Sequence, residues 1–447
     1  MTGLGTPREP ITNHGAARLR RAGDTRRQMV LLAVDLVLIS LSLWFVLVLH
    51  PYVPMDQLDQ YPLWSWLRWW VLLWAIWLPL ATSLGLYNLR LAGDPDHAVI
   101  FALVAWTVTS LVYAVTPVIS APLFVRRWIW FAFFGITGGA LSLWRGAHAL
   151  LWTSRQPWRL VFLGSSAAVE ETAAAVGAVQ GAQVLGTLSV APEGSPSPAS
   201  WRLEDLWPHC QSLLSSQTVD GLAVEDSLSA EPEIQALIAR CAEQGIEVLS
   251  LSACSEAWLG KVQLDRALVR AWSTQMSERR IALRSHAVVR RALDLLLAVL
   301  GLALAALAAP ALLLWSLLSR TRLRLTHRPS VGRQGRPFSA LAFEHEPGPV
   351  IRWLPLLWNL LLGDISIIGP RILPVGQAEP AAGMEPFLSL RQMVPPGLTG
   401  WAQLRAPAEP DLDTRATELP YDLYYVLHRG PSLDLAILFH RVAQVLA

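Results

Sequence analysis

Gly363-Asp364-Ile365-Ser366-Ile367-Ile368-Gly369-Pro370-Arg371 follows Leu354-Pro355-Leu356-Leu357-Trp358-Asn359 and a run of leucines. Downstream stands Pro396-Gly397-Leu398-Thr399-Gly400-Trp401-Ala402-Gln403, and then Tyr421 to Tyr425 with Ser432-Leu433-Asp434-Leu435-Ala436-Ile437-Leu438. The first stretch joins turn glycines (Gly363, Gly369), a carboxylate (Asp364), a hydroxyl (Ser366), a rigid Pro370 and the guanidinium of Arg371, a set that suits a phosphate or diphosphate. The same residues also describe a tight turn capped by Asp or Ser. From the chemistry alone the two readings weigh about equally; the spacing says more than the residue types.

Upstream of these motifs, Val288 to Ser319 is one long apolar segment with Arg290-Arg291 and Asp294 at its start and Pro310 near its middle. Proline removes a backbone donor and crowds the preceding turn, so a bend is expected at Pro310. A kinked span and a re-entrant helix returning to the same side both fit. Arg320, Arg322, Arg324, Arg328 and Arg333 follow directly and favour the side on which Arg290 and Arg291 lie, which points to re-entry over residues 288–319.

Before it, residues 156–280 alternate β-rich runs (Leu160–Leu163, Val184–Val190, Gly221–Val224, Ile246–Leu249) with helical ones. This is the pattern of a Rossmann-like α/β domain. Its first turn, Gly164-Ser165-Ser166-Ala167, lacks the G-x-G-x-x-G spacing that closes backbone amides on a pyrophosphate, so a regulatory or structural domain is the better reading. Pro192 to Ser200 reads as a loop.

Residues 29–152 hold four apolar stretches, Met29–His50, Trp64–Leu86, Ala98–Ile119 and Trp128–Trp144, each near the roughly 20 residues that cross a bilayer. A four-helix transmembrane bundle is expected. Residues 1–28, with six arginines and no apolar run, read as a disordered basic arm. The arm, together with Arg145, Arg155 and Arg159 after the fourth span, places both soluble parts in the cytoplasm, against the dissent of Arg126 and Arg127. Asp35 and Arg68 fall inside spans and read as structural.

Over its 447 residues the chain is 53% hydrophobic and 16% charged, against roughly 25% charged in ordinary soluble domains. Its 36 Lys+Arg balance 34 Asp+Glu to a net charge of +2, so no global charge attracts the chain to nucleic acid. Cys210, Cys241 and Cys254 have neither disulfide nor zinc spacing. His327, His345, His428 and His440 lack metal-ligand spacing, and Tyr421, Tyr424 and Tyr425 read as packing residues or residues of the membrane surface. The spans show no internal repeats, so a transporter has little support.

Taken in order, these pieces resemble the bacterial sugar transferases, the polyprenyl-phosphate hexose-1-phosphate transferases. The resemblance runs from Arg290-Arg291 and Asp294 through Gly332-Arg333-Gln334-Gly335-Arg336-Pro337-Phe338, G-D-x-S-x-x-G-P-R and P-G-L-T-G to the C terminus. It covers residues 286–447, and the four spans and α/β domain look like the extension carried by the family's larger members. It implies a C-terminal α+β phosphoglycosyltransferase-like domain anchored by a Pro-broken re-entrant helix, in a multi-pass protein of the bacterial inner membrane.

By family chemistry an aspartate attacks the β-phosphate of a UDP-sugar, UMP leaves, and polyprenyl phosphate takes the sugar phosphate; a neighbouring glutamate holds Mg²⁺. Alignment on Leu354-Pro355 and Trp358-Asn359 puts Arg352 at the aspartate and Trp353 at the glutamate. Neither side chain has a nucleophilic or metal-binding lone pair at neutral pH. Ala342-Phe343-Glu344 stands where the family has Lys-Phe-Arg, Ser330 replaces an arginine, and the segment from Phe343 to Leu354 is shorter than the family's.

Two readings follow. The favoured one is a catalytically degenerate family member of exopolysaccharide, O-antigen or capsule assembly, acting as a partner or regulator, with no catalytic residue, metal ligand or cofactor of its own. The alternative is an active transferase of UDP-sugar to undecaprenyl phosphate that uses a rearranged carboxylate among Asp364, Glu344 and Glu346, and Mg²⁺ with it. Arg371, then Arg333 and Arg336, are the candidate phosphate contacts, while Gly363, Ser366, Gly369, Pro370, Pro396, Gly397, Thr399 and Gly400 are motif residues. Membrane lipid, polyprenyl phosphate, UDP-sugar, a second copy of the chain or an assembly partner are the interactions expected.

Overall fold

The computed structural model describes residues 13–48, 63–88, 95–116, 127–152, 157–164, 166–179, 181–190, 200–201, 219–229, 231–264, 280–318, 324–344, 351–377, 384–406 and 414–446. They fall into two compact units, Met1–Cys254 and Ser255–Ala447.

The first unit opens with four helices, α1 (Asn13–Val48), α2 (Leu63–Ser83), α3 (Pro95–Ala114) and α4 (Arg127–Trp152). α1 and α3 pack on α4, and α2 packs on α3. The buried side chains recur every fourth residue: Leu31, Asp35, Ile39 and Leu43 on α1, Trp69, Leu73 and Trp77 on α2, Phe133, Thr137, Leu141 and Arg145 on α4. That spacing lines one face of each helix. The outward faces are apolar as well, with Val37, Leu41, Val71, Leu143 and Leu150 exposed, an arrangement that suits a surrounding less polar than water. By length and composition, Thr25–Val46 and Arg284–Ala311 are able to cross a membrane, and Ala98–Ala114 is a shorter apolar helix.

α1 begins at Asn13, inside the stretch expected to be a disordered arm. Ala16, Ala17, Leu19 and Ala22 among arginines are good helix formers, and extending an existing helix avoids the cost of nucleating one. Arg145 is also placed differently: it lies within α4, buried, and pairs with Asp35 of α1. Its Nη1 donates to Leu86 O at 2.6 Å, and Tyr87 OH donates to the same Asp35 carboxylate at 3.1 Å. Asp35 is thus engaged inside the bundle, while Arg68 is exposed.

An α/β domain follows: β1 (Trp158–Leu163), α5 (Ala167–Gly177), β2 (Ala182–Val190), β3 (Ser200–Trp201), β4 (Gly221–Val224), α6 (Pro232–Glu243), β5 (Glu247–Ser250) and α7 (Leu251–Leu259). The strands form one parallel sheet in the order β3-β2-β1-β4-β5. Its buried apolar runs, as in Leu160–Leu163, are those of strands covered on both faces. Ser200 belongs to edge strand β3 rather than to the loop before it.

The second unit contains α8 (Arg280–Leu318), β6 (Leu325–Val331), β7 (Pro337–Phe343), α9 (Leu356–Leu362), β8 (Ser366–Ile368), β9 (Leu373–Pro374), α10 (Glu385–Arg391), β10 (Gly397–Thr399), α11 (Trp401–Arg405), α12 (Thr414–His428) and α13 (Pro431–Leu446). β6 pairs antiparallel with β7 and β9, and β8 pairs parallel with β10. α8 is helical through Pro310 to Leu318, so the proline at which a bend is expected lies inside one continuous helix. A proline forfeits one hydrogen bond and local adjustment accommodates the rest, which apolar helices tolerate. The boundary between the units falls within α7, after Cys254, so Glu256, Gly260 and Val262, placed by sequence in the α/β domain, belong to this unit: Trp401 Nε1 donates to Gly260 O at 2.7 Å, and Val262 is buried with Leu419, Leu423 and Val426.

Candidate functional site

The arginines at the start of α8 are consumed by the motif that follows α9. Arg290 Nε donates to Ser366 Oγ at 2.8 Å, Nη1 donates to Tyr425 OH at 2.9 Å, and Nη2 bonds Ile368 O. Asp294, buried, accepts from Ser366 Oγ at 2.7 Å and from Ile367 N at 3.0 Å. Ala298 and Gly301, one and two turns on, face the core: a Cβ on Gly301 would come 2.9 Å from Leu357 Cδ1. One face of α8 thus holds the G-D-x-S turn, and Leu293, Leu296, Leu300 and Leu304 leave the other face apolar and exposed.

Arg291 has a different task. Its Nη1 and Nη2 donate to Leu360 O at 2.8 Å and Leu361 O at 2.7 Å, carbonyls that the end of α9 leaves without a helical partner. α9 closes at Gly363, whose φ of 91° is left-handed and whose missing Cβ makes room for the Arg291 guanidinium. Asn359, buried, ties α9 to β7: its Oδ1 accepts from Leu341 N at 3.0 Å and its Nδ2 donates to Ser339 O at 2.9 Å. The same Nδ2 donates to Asp364 Oδ2 at 3.0 Å. Asp364 was expected to cap backbone amides; its observed partner is a side-chain amide.

The two glycine motifs meet backbone to backbone. Gly369 N donates to Thr399 O at 2.8 Å, Gly397 N to Pro370 O at 2.8 Å, and Ser366 N to Pro396 O at 2.9 Å. A Cβ on Gly369 would lie 2.5 Å from Pro395 O, and Cβ atoms on Gly397 and Gly400 would overlap the Gly369 backbone. These glycines are required by close approach. Packing alone thus accounts for glycine at these three positions.

Arg371, bridged to Gly397 through its backbone, extends its side chain to α12. Its Nη2 is 2.7 Å from Glu418 Oε1; the arginine side chain is 50% exposed and the glutamate 7%. Behind it, Arg391 Nε donates to Asp422 Oδ2 at 2.7 Å and Nη2 donates to Arg371 O at 2.9 Å. Burial pushes both carboxyl groups above their ordinary range, opposed by Arg371 at Glu418 and by Arg391 at Asp422. Pro370, Pro396, Gly332, Val331 and Arg391 line a cleft beside this cluster. Sequence reasoning missed Glu418, Asp422 and Arg391; the spacing of Glu418 and Asp422, one turn apart on α12, was the available signal.

The remaining candidates are dispersed. Arg333 and Arg336 are exposed in the turn between β6 and β7, where Gly332 N donates to Arg336 O at 2.8 Å. Arg333 also bears electrostatically on Arg429, whose pKa is held down first by burial and then by Arg290 and Arg333. Glu344 is exposed at the end of β7, and Glu346 and His345 lie outside the described residues. Tyr425 is buried, its OH donating to Asp434 Oδ1 at 2.9 Å, and His286 contacts the other Asp434 oxygen at 2.8 Å. Tyr424 stacks on Trp401.

Ile351–Trp353 forms a single 3₁₀ turn leading into α9. The side chains of Arg352 and Trp353 offer no oxygen ligand for a hard divalent cation, which prefers carboxylates. Among the described residues no three His, Cys, Asp or Glu side chains group as metal ligands. The donor set at this position does not suit Mg²⁺.

Residues 351–447 match the bacterial sugar transferase family. The chain is 27% identical over 277 residues to a UDP-N-acetylgalactosamine-undecaprenyl-phosphate N-acetylgalactosaminephosphotransferase of Aeromonas hydrophila, covering 55% of this chain and 62% of that protein. It is 38% identical over 101 residues to the exopolysaccharide production protein PSS of Rhizobium leguminosarum bv. phaseoli, covering 21% of this chain and 49% of that protein. A UDP-glucose:undecaprenyl-phosphate glucose-1-phosphate transferase of Klebsiella pneumoniae is 36% identical over 88 residues, 19% of each chain. The matches thus span less than two thirds of the length of each of these relatives.

Proposed function

Because its C-terminal region belongs to the bacterial sugar transferase family, we propose that this protein is a catalytically degenerate member working as a partner or regulator in undecaprenyl-phosphate-linked polysaccharide assembly. The observation that carries this reading is the pair Arg352-Trp353 in the register of the family's Asp-Glu dyad. An always-protonated guanidinium and an indole supply neither nucleophile nor metal ligand. The surviving motif residues support the same reading. Ser366 is engaged by Asp294 and Arg290, Gly369, Gly397 and Gly400 by backbone approach, and Asp364 by Asn359.

α1 to α4 form a bundle in the inner membrane, α8 enters the same bilayer, and the α/β and C-terminal domains face the cytoplasm. The apolar outward faces of α1, α2, α4 and α8 support this placement. The names of two relatives, which pair a UDP-sugar with undecaprenyl phosphate, support these two as the molecules around which the protein works.

The test is UMP release by the purified full-length protein in nanodiscs, with Mg²⁺, polyprenyl phosphate and a panel of UDP-sugars, beside an Arg352→Asp, Trp353→Glu variant. The native chain is expected to be silent with every sugar. Release above background would return the search to Asp364, Glu344 and Glu346 as rearranged carboxylates.

A further inference from the structure

We propose that Glu418 is a built-in counter-ion that occupies Arg371 and closes the surviving G-P-R turn to phosphate. The inference rests on reading this turn as the phosphate-facing part of a degraded transferase site. Arg371 is the motif's only guanidinium and half of its side chain is exposed, so it is accessible to an anion; yet its Nη2 already meets Glu418 Oε1 at 2.7 Å, the length of a charge-assisted hydrogen bond. The carboxylate arrives from the protein interior on α12, where Leu419 and Leu423 anchor the helix in the core. An intramolecular partner held in this way competes with a free anion at high effective concentration.

The backbone of Arg371 is fixed. Its carbonyl accepts from Arg391 Nη2 at 2.9 Å, Arg391 is itself fixed by Asp422, and the backbone on either side is bridged to Gly397. Only the side-chain torsions of Arg371 are free to redirect it. Charge balance adds to this, because two guanidiniums face two carboxylates across the cluster. A phosphate dianion approaching Arg371 meets no net positive charge and is repelled by Glu418.

The experiment is calorimetric titration of UMP and of inorganic phosphate into full-length protein in nanodiscs, native and with Glu418→Gln. A Glu418→Leu variant accompanies them, since an apolar side chain fits a buried position without needing a partner, and thermal melts show which variants are folded. Both substitutions are expected to tighten UMP binding by about tenfold or more, and adding Arg371→Ala to either should remove the gain. Unchanged affinity in both variants, or a gain that survives Arg371→Ala, would overturn the counter-ion. UMP release by the native chain would instead overturn the degenerate reading, because turnover and affinity are measured separately.

Discussion

Asp294 of the long apolar helix accepts the hydroxyl hydrogen of Ser366 at 2.7 Å, across 72 positions of sequence. The same carboxylate takes Ile367 N, so one buried acid fixes the turn on which the G-D-x-S motif is built. Replacing Asp294 by Ala leaves two donors and the neighbouring Arg290 poorly compensated. A loss of about 3 kcal/mol is expected, within the range for breaking a buried charged network. Chemical unfolding of the C-terminal unit's signals in detergent checks it, and Asp294→Asn should recover part of the loss.

Gly397→Ala and Gly400→Ala force a methyl group into the Gly369 backbone, whereas at Gly376 a Cβ would meet nothing within 4 Å. The first two are expected to cost about 1–3 kcal/mol or more as overpacking, and Gly376→Ala close to nothing. Melting temperatures of the three variants, compared side by side, decide this; equal values would contradict the close approach.

The Asp35–Arg145 pair is buried on both sides, 1% and 0% exposed. Asp35→Ala strands a guanidinium and should cost about 3–5 kcal/mol, while Asp35→Leu combined with Arg145→Met should lie much closer to the native stability. Resistance of α1 and α4 to proteolysis in detergent reports the difference. A double variant as unstable as the single one would mean that Leu86 O and Tyr87 OH matter more than the pair.

Burial raises the pKa of both Glu418 and Asp422 above the unfolded carboxylate range. Between those two ranges the folded chain keeps protons that the unfolded chain has lost, so stability falls as pH rises through that window and returns on acidification. Asp422→Asn removes one such group, and the melting temperature of the variant should depend less steeply on pH than that of the native chain. Parallel profiles would refute the assignment. Arg371 and Arg391 face both acids and reduce the size of the effect without reversing it.

Much of this architecture was legible in the residues. The apolar stretches became α1 to α4 and α8, the alternating runs became a parallel sheet, and G-D-x-S-x-x-G-P-R and P-G-L-T-G pointed to the family that residues 351–447 match. Where the reading failed, the continuity of a helix had won over the polarity of its first turns. The arm before residue 29 is helical from Asn13 because an adjoining helix extends cheaply.

The sequence by itself determined the composition suited to a bilayer, the apolar and alternating runs, and the motifs that point to the family, since these depend on residue identity and local periodicity. Only the tertiary structure decided that Arg145 belongs to Asp35, that Arg290 and Asp294 are spent on Ser366, and that Arg371 is already paired with Glu418. The physical reason is that a buried charge takes whichever partner packing brings to it, and packing brings together residues that no spacing along the chain connects.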